Sequence, residues 1–210
     1  MQKLLKFKII LYFSCLCVFM PSYAQTPGAS LEQLLQNIDT YQADFVQTVM
    51  DDSKLVQQSS GKFFLLRPGK FRWDVQSPNR QLLIAKDKRL WIYDPDLEQV
   101  TVQKVSKAAG ATPALLLSGD LQTLNRDFTI LAINKRNQQG FELTPKNFNE
   151  HFKTAQLYFN HAQLQEMSLE DQLGHITKIL FKHIQVNQGL DAKLFNFIPP
   201  KGVDIINNDN

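Results

Sequence analysis

From Leu31 the apolar positions recur at helical spacing. Leu31, Leu34, Leu35, Ile38 and Tyr41 are separated by polar residues, which predicts one amphipathic helix with a single apolar face. Ser30 precedes the run and Gln33 comes three residues later, the spacing of a capping box. The helix is therefore expected from Ser30 to near Tyr41. The period then changes to two, with Phe45, Gln47 and Val49 on one face of a strand. Further short runs lie at Leu55–Leu66, Phe71–Val75, Gln81–Ala85, Leu90–Tyr93 and Leu97–Val105. Between them lie Asp51-Asp52-Ser53-Lys54, Arg67-Pro68-Gly69-Lys70, Ser77-Pro78-Asn79, Asp87-Lys88 and Asp94-Pro95-Asp96. In such turns Pro fixes φ and Gly tolerates a left-handed residue. Short strands with polar turns between them predict an antiparallel meander.

Residues 106–127 interrupt the alternation. Thr112 and Pro113 precede Ala114-Leu115-Leu116-Leu117, an N-cap and first-position pair that predicts a short apolar helix, stopped at Gly119. Strands resume at Phe128–Ile133, Phe141–Thr144, Phe152–Phe159, Leu164–Leu169 and Ile176–Val186, and a tail from Gly189 to Val203 carries Phe195, Phe197 and Pro199-Pro200. No linker, repeat or low-complexity tract divides the chain. The expectation is one mostly-β domain over residues 25–210, with a sheet of about ten to eleven strands and two helical segments. So large a sheet must curl or stack to bury a face, and the space between sheet and helices could receive a ligand.

The first 24 residues carry a different signal. Lys3, Lys6 and Lys8 form a basic start, Phe7–Met20 is an almost unbroken apolar run, and Ser22-Tyr23-Ala24 supplies small residues at the cleavage positions. This is the pattern of a secretory signal peptide cut after Ala24, and the run is shorter than the roughly 20 residues of a spanning helix. Both cysteines, Cys15 and Cys17, fall in that segment. A chain cleaved there has no thiol chemistry and no disulfide. It also loses three lysines and no acids, which takes the formal charge from +3 to zero and leaves no electrostatic footprint for nucleic acid.

Catalytic patterns are missing. Ser118-Gly119 lacks the preceding glycine of a nucleophile elbow. His151, His161, His175 and His183 show no metal-ligand spacing, and no phosphate-binding glycine loop occurs. No catalytic residue, cofactor or metal is expected, and the chain is read as something other than an enzyme. The aromatic residues are more informative. Phe63, Phe64, Phe71, Trp73, Trp91 and Tyr93 fall on strands, where an ordinary sheet core accounts for most of them. Phe71, Trp73 and Val75 share one face directly after Arg67-Pro68. Leu115-Leu116-Leu117 is too short to fold alone and must cover either a core or the mouth of a cavity.

Taken in order, these segments resemble a known family. A helix is followed by Phe45-Val46-Gln47-Thr48, then by Arg67-Pro68-Gly69-Lys70-Phe71-Arg72-Trp73. Leu90-Trp91-Ile92-Tyr93-Asp94-Pro95, Ala111-Thr112-Pro113, Phe141-Glu142-Leu143-Thr144-Pro145 and Phe195-Asn196-Phe197-Ile198-Pro199-Pro200-Lys201-Gly202-Val203 complete the set. Nearly the whole chain after residue 24 is similar to the periplasmic outer-membrane lipoprotein carrier family, the LolA type. The resemblance implies an unclosed antiparallel β-barrel with an α-helical lid over a hydrophobic cavity. It implies a monomeric chaperone in the periplasm of a Gram-negative bacterium. Its cargo would be triacylated lipoproteins, received from an inner-membrane ABC transporter of the LolCDE type and handed to an outer-membrane receptor of the LolB type. The cavity residues would be Phe45, Phe71, Trp73, Val75 and Trp91 on strands, with Leu115, Leu116 and Leu117 on the lid. Arg67 would latch the lid; without the resemblance it reads as a solvated turn residue. A binding or sensing module for another lipid on the same fold is the alternative, since both need an apolar cavity.

Overall fold

A computed structural model describes residues 25–107, 117, 121, 124–135, 138–147 and 152–208. Residues 1–24, expected to be a signal peptide, and the helix start expected at Thr112-Pro113 lie outside the described residues, as do Leu115 and Leu116.

Helix α1 spans Pro27–Gln36, starting before Ser30 and stopping short of Tyr41. The Thr26 hydroxyl caps it by accepting from the Ala29 N–H at 3.3 Å, and Pro27 takes the first turn, where its missing donor is no loss. Ser30 thus lies inside the helix and caps nothing. Leu31 and Leu35 are buried. Tyr41 belongs to the next strand, where pairing on both sides outweighs the helical spacing that includes it.

Among the described residues, twelve strands come after the helix: β1 Thr40–Asp51, β2 Lys54–Leu66, β3 Lys70–Ser77, β4 Gln81–Lys86, β5 Arg89–Asp94, β6 Gln99–Lys104, β7 Phe128–Lys135, β8 Gln138–Pro145, β9 Phe152–Asn160, β10 Gln163–Asp171, β11 Ile176–Val186 and β12 Asp204–Asn207. They form one sheet in the order β12-β6-β5-β4-β3-β2-β1-β11-β10-β9-β8-β7. The sheet is open, with β7 and β12 at its two edges. Between β6 and β7 the chain passes from one side of the sheet to the other through residues 105–127, which include the one-turn helix α2, Leu124–Asp127.

Eleven of these strands match the alternating runs of the sequence. The twelfth, β12, pairs in parallel with β6, Ile205 opposite Val100, and its four residues are exposed. A strand that buries no side chain leaves no period-two trace.

The two faces are covered differently. The inner face carries the main core, in which Leu31 and Leu35 of α1 and Leu117, Leu121 and Leu124 of the crossing segment meet the aromatic residues of the sheet. On the outer face Ile84, Val100 and Phe195 are fully buried. A turn of 3-10 helix, Ala192–Phe195, lies over β3 and β4 there. The Arg72 guanidinium donates to the Leu194 carbonyl at 3.2 Å, and the Lys86 ammonium donates to Asn196 Oδ1 at 2.8 Å.

Candidate functional site

The inner face of β1–β3 and β11 is built around Phe63. Its ring lies 5.6 Å from Tyr41, 5.5 Å from Phe71, 5.6 Å from Trp73 and 5.6 Å from Phe181, centroid to centroid. Phe45 stacks on Trp73 at 3.6 Å with 19° between the planes. Those two rings come from β1 and β3, with β2 between them. They can meet because the β2 residue opposite Phe45 is Gly61, which has no side chain to separate them. A Cβ there would collide with the Asp74 carbonyl oxygen, so glycine is also what allows β2 and β3 to pair at this level. The Tyr41 hydroxyl donates to the Leu164 carbonyl at 2.7 Å, and burial pushes its pKa well above the ordinary tyrosine value.

Of the residues expected to line a cavity, the structure brings together Phe45, Phe71, Trp73, Val75 and Leu117. Trp91 does not join them. Leu83 and Ala85 of β4 face the core, opposite Ile92 and Leu90 of β5, whereas Trp91 pairs with Ile84 and Val102 on the outer face. The alternation of a strand sends neighbours to opposite sides, and Leu90 and Ile92 hold the inward positions. Phe63, Tyr41 and Phe181 were not singled out for the cavity. Phe63 and Phe181 sit on the inward period of β2 and β11, a signal that names a face but not its function.

The expected apolar hollow is not open. Phe71 and Trp73 are 0 % and 2 % exposed, and they share one buried core with Leu31 and Leu35 of α1 and the described leucines of the crossing segment. One pocket of about 210 Å³ does open on the inner face beside Trp73. It is lined by Gln47, Gln57, Ser59, Val75, Asn79, Arg80, Gln81, Leu83 and Asp94 among others.

Arg67, at the β2–β3 turn, is half-buried rather than solvated. Its Nε donates to the Ile38 carbonyl at 2.9 Å, and its backbone N–H donates to the Asp39 carbonyl at 2.8 Å. It therefore grips the peptide by which the chain leaves α1. Burial lowers the guanidinium pKa, and the Asp39 carboxylate opposes that shift. Nη2 is buried and has no hydrogen-bond partner among the described residues.

Titratable clusters lie away from the aromatic face. On the outer face Asp44 accepts from Lys62 at 2.9 Å and meets His183 Nδ1 at 2.7 Å; the His183 and Lys62 bonds hold its carboxyl below the usual range. His175 meets Asp171 at 2.8 Å in the β10–β11 turn. Among the described residues no group of three or more His, Cys, Asp or Glu is placed to hold a metal ion.

Comparison with known proteins decides what this assembly is. The family model described as "Outer membrane lipoprotein carrier protein LolA" matches residues 36–198. The chain belongs to the outer-membrane lipoprotein carrier family. An "Outer-membrane lipoprotein carrier protein" of Legionella pneumophila (strain Corby) is 42% identical over 184 residues, covering 88% of this chain and 91% of the relative. One of the same name from Methylococcus capsulatus is 39% identical over 204 residues, covering 95% and 97%. Among solved structures, a DUF1329 family protein from Desulfovibrio piger superposes with a TM-score of 0.52 at 14% identity, over 82% of this chain and 98% of that one. That likeness extends the fold beyond recognisable sequence. The family is one of carriers, not enzymes. Its model takes in the sheet from β1 to β11, and α1 enters it only at Gln36.

Proposed function

We propose that this protein carries acylated lipoproteins across the periplasm of a Gram-negative cell, and that the structure is its closed, unloaded form. The observation that carries the reading is an aromatic sheet face that shares its core with a ten-residue helix, whose exit peptide is held by the Arg67 side chain. The names of relatives sharing about two-fifths of its residues support it.

The chemistry is a competition. Burial of an acyl chain contributes about 0.8 kcal/mol per CH₂, so one long chain carries roughly 10 kcal/mol of water avoidance. A permanently open cavity of that strength would bind and not deliver. Here the apolar face of α1 and Leu117, Leu121 and Leu124 already share the core with the aromatic face. Incoming chains must displace Leu31, Leu35 and Leu117 from Phe45, Phe71, Trp73 and Val75. The affinity that remains is the difference between the two occupants. Arg67 adds a charge-assisted bond to the closed side of the balance. Leu115 and Leu116 complete the lid in this reading.

The chain would be exported by removal of residues 1–24 and work as a monomer. It would receive triacylated lipoproteins from an inner-membrane ABC transporter of the LolCDE type and pass them to an outer-membrane receptor of the LolB type. The decisive experiment incubates inner-membrane vesicles bearing a labelled triacylated lipoprotein with the purified protein and ATP. Soluble complex that forms only with ATP and this protein is the expected result; a lipoprotein that stays in the membrane pellet overturns the reading.

A further inference from the structure

The pocket beside Trp73 has a composition that core packing does not require. On the inner face of β1 the residue after Phe45 is Gln47, opposite Ser59 of β2 and Ile179 of β11. On β2, Gln57 and Ser59 precede Gly61 and Phe63. On β4, Gln81 precedes Leu83 and faces Val75 of β3. Strands β1, β2 and β4 thus turn from apolar to amide or hydroxyl side chains at the same end of the sheet. The pocket's floor is Trp73, Val75 and Leu83, and its rim adds Asn79, Arg80 and Asp94. None of Gln47, Gln57 and Gln81 makes a side-chain hydrogen bond to another described residue. Their donors and acceptors are available where the aromatic face meets solvent.

We propose that this pocket binds the polar junction of the cargo: the ester and amide carbonyls of a lipidated N-terminal cysteine and the first peptide bonds after it. The proposal rests on the carrier reading above. Ester oxygens only accept hydrogen bonds, and peptide groups both donate and accept. A carboxamide offers two donors and an acceptor and matches both. A volume of about 210 Å³ falls below the roughly 300 Å³ at which drug-sized sites begin, so it suits a head group and not a whole acyl chain. One cation, Arg80, and one anion, Asp94, stand at the rim, which favours a neutral glyceryl-cysteine over a phosphate. The geometry gives the site a direction: chains enter past Trp73 and Phe45, and the junction stops at the glutamines.

Equilibrium binding of two probes tests it. One is a tripalmitoylated cysteinyl lipopeptide; the other is hexadecanol, whose chain has no carbonyl. The double variant Gln57→Leu/Gln81→Leu should bind the lipopeptide about tenfold more weakly, the net worth of one or two hydrogen bonds, and hexadecanol within about twofold. Gln81→Glu, which replaces donors with a carboxylate, serves if the double variant melts early, and it should lose lipopeptide affinity in the same sense. An unchanged lipopeptide affinity, or an equal loss for both probes, overturns the junction site and leaves the carrier intact. A wild-type protein that binds neither probe removes both.

Discussion

The two faces of the sheet have covers of opposite character. On the outer face the C-terminal tail is tied at several points. Phe195 is buried, Leu194 and Asn196 receive bonds from Arg72 and Lys86, Phe197 sits 5.7 Å from Tyr93, and β12 then joins the sheet edge by pairing with β6. On the inner face α1 buries Leu31 and Leu35 but extends no backbone ladder, and its ties to the sheet gather at its exit, where Arg67 donates to the Ile38 carbonyl and Asn187 bonds the Asn37 carbonyl and the Asp39 N–H. Apolar contact is non-directional and can be exchanged for another apolar partner at little net cost. A backbone ladder cannot be replaced by a lipid tail. In the proposed carrier the outer cover therefore stays and the inner one is displaced.

Four changes break or sharpen this contrast. Phe195→Ala removes the anchor of the fixed cover and should cost about 3–5 kcal/mol, read as a lower midpoint in urea, with no gain in acyl-chain binding. A variant that bound lipid more tightly would erase the distinction between the faces. Leu35→Ala should cost about 2–4 kcal/mol but strengthen hexadecanol binding, because the competitor for the aromatic face is weakened. A loss of both stability and binding would make α1 part of the wall and not of the lid. Arg67→Leu removes the bond to the Ile38 carbonyl at a cost on the order of 1 kcal/mol. Cargo should still load, but transfer to an acceptor should slow; transfer at the normal rate would argue against a latch.

The smallest effect is a control away from both covers. The side-chain bond to Asp171, with its charge, raises the His175 pKa above 6.5. A raised folded pKa means that the protonated form is favoured in the folded state. This contribution is fully present below about pH 6.5 and fades as pH rises through the folded value. His175→Ala should flatten that part of the Tm-against-pH curve and leave lipid binding unchanged.

How much of this was legible in the chain differs from place to place. Eleven strands and their turns could be read from alternation and from pairs such as Pro68-Gly69, because a period of two survives wherever one face is buried. Helix α1 was legible as an element but not in its limits. Leu31, Leu34 and Leu35 mark the helix. Ile38 and Tyr41 keep its spacing by coincidence, since Ile38 lies beyond the Asn37 C-cap and Tyr41 in β1. The site was half legible. Phe71, Trp73 and Val75 share a face by parity alone. Phe45 reaches Trp73 across Gly61, which needs three strands in register. Trp91 shows the limit: it stands between the apolar Leu90 and Ile92, so parity does not say which face is buried, and the pairing of β4 with β5 turns it outward.

By itself, then, the sequence determined the kinds of element and their order, and, through motifs such as Arg67-Pro68-Gly69-Lys70-Phe71, the family. These depend on local periodicity and on residue types at fixed spacing. The tertiary structure alone decided which face each aromatic ring joins, that a twelfth strand closes the β6 edge, that the inner face is filled by helix and leucines, and that three glutamines converge beside Trp73. Each of these is a relation between residues far apart in the chain, set by register and by competition for one apolar surface, and no local pattern records it.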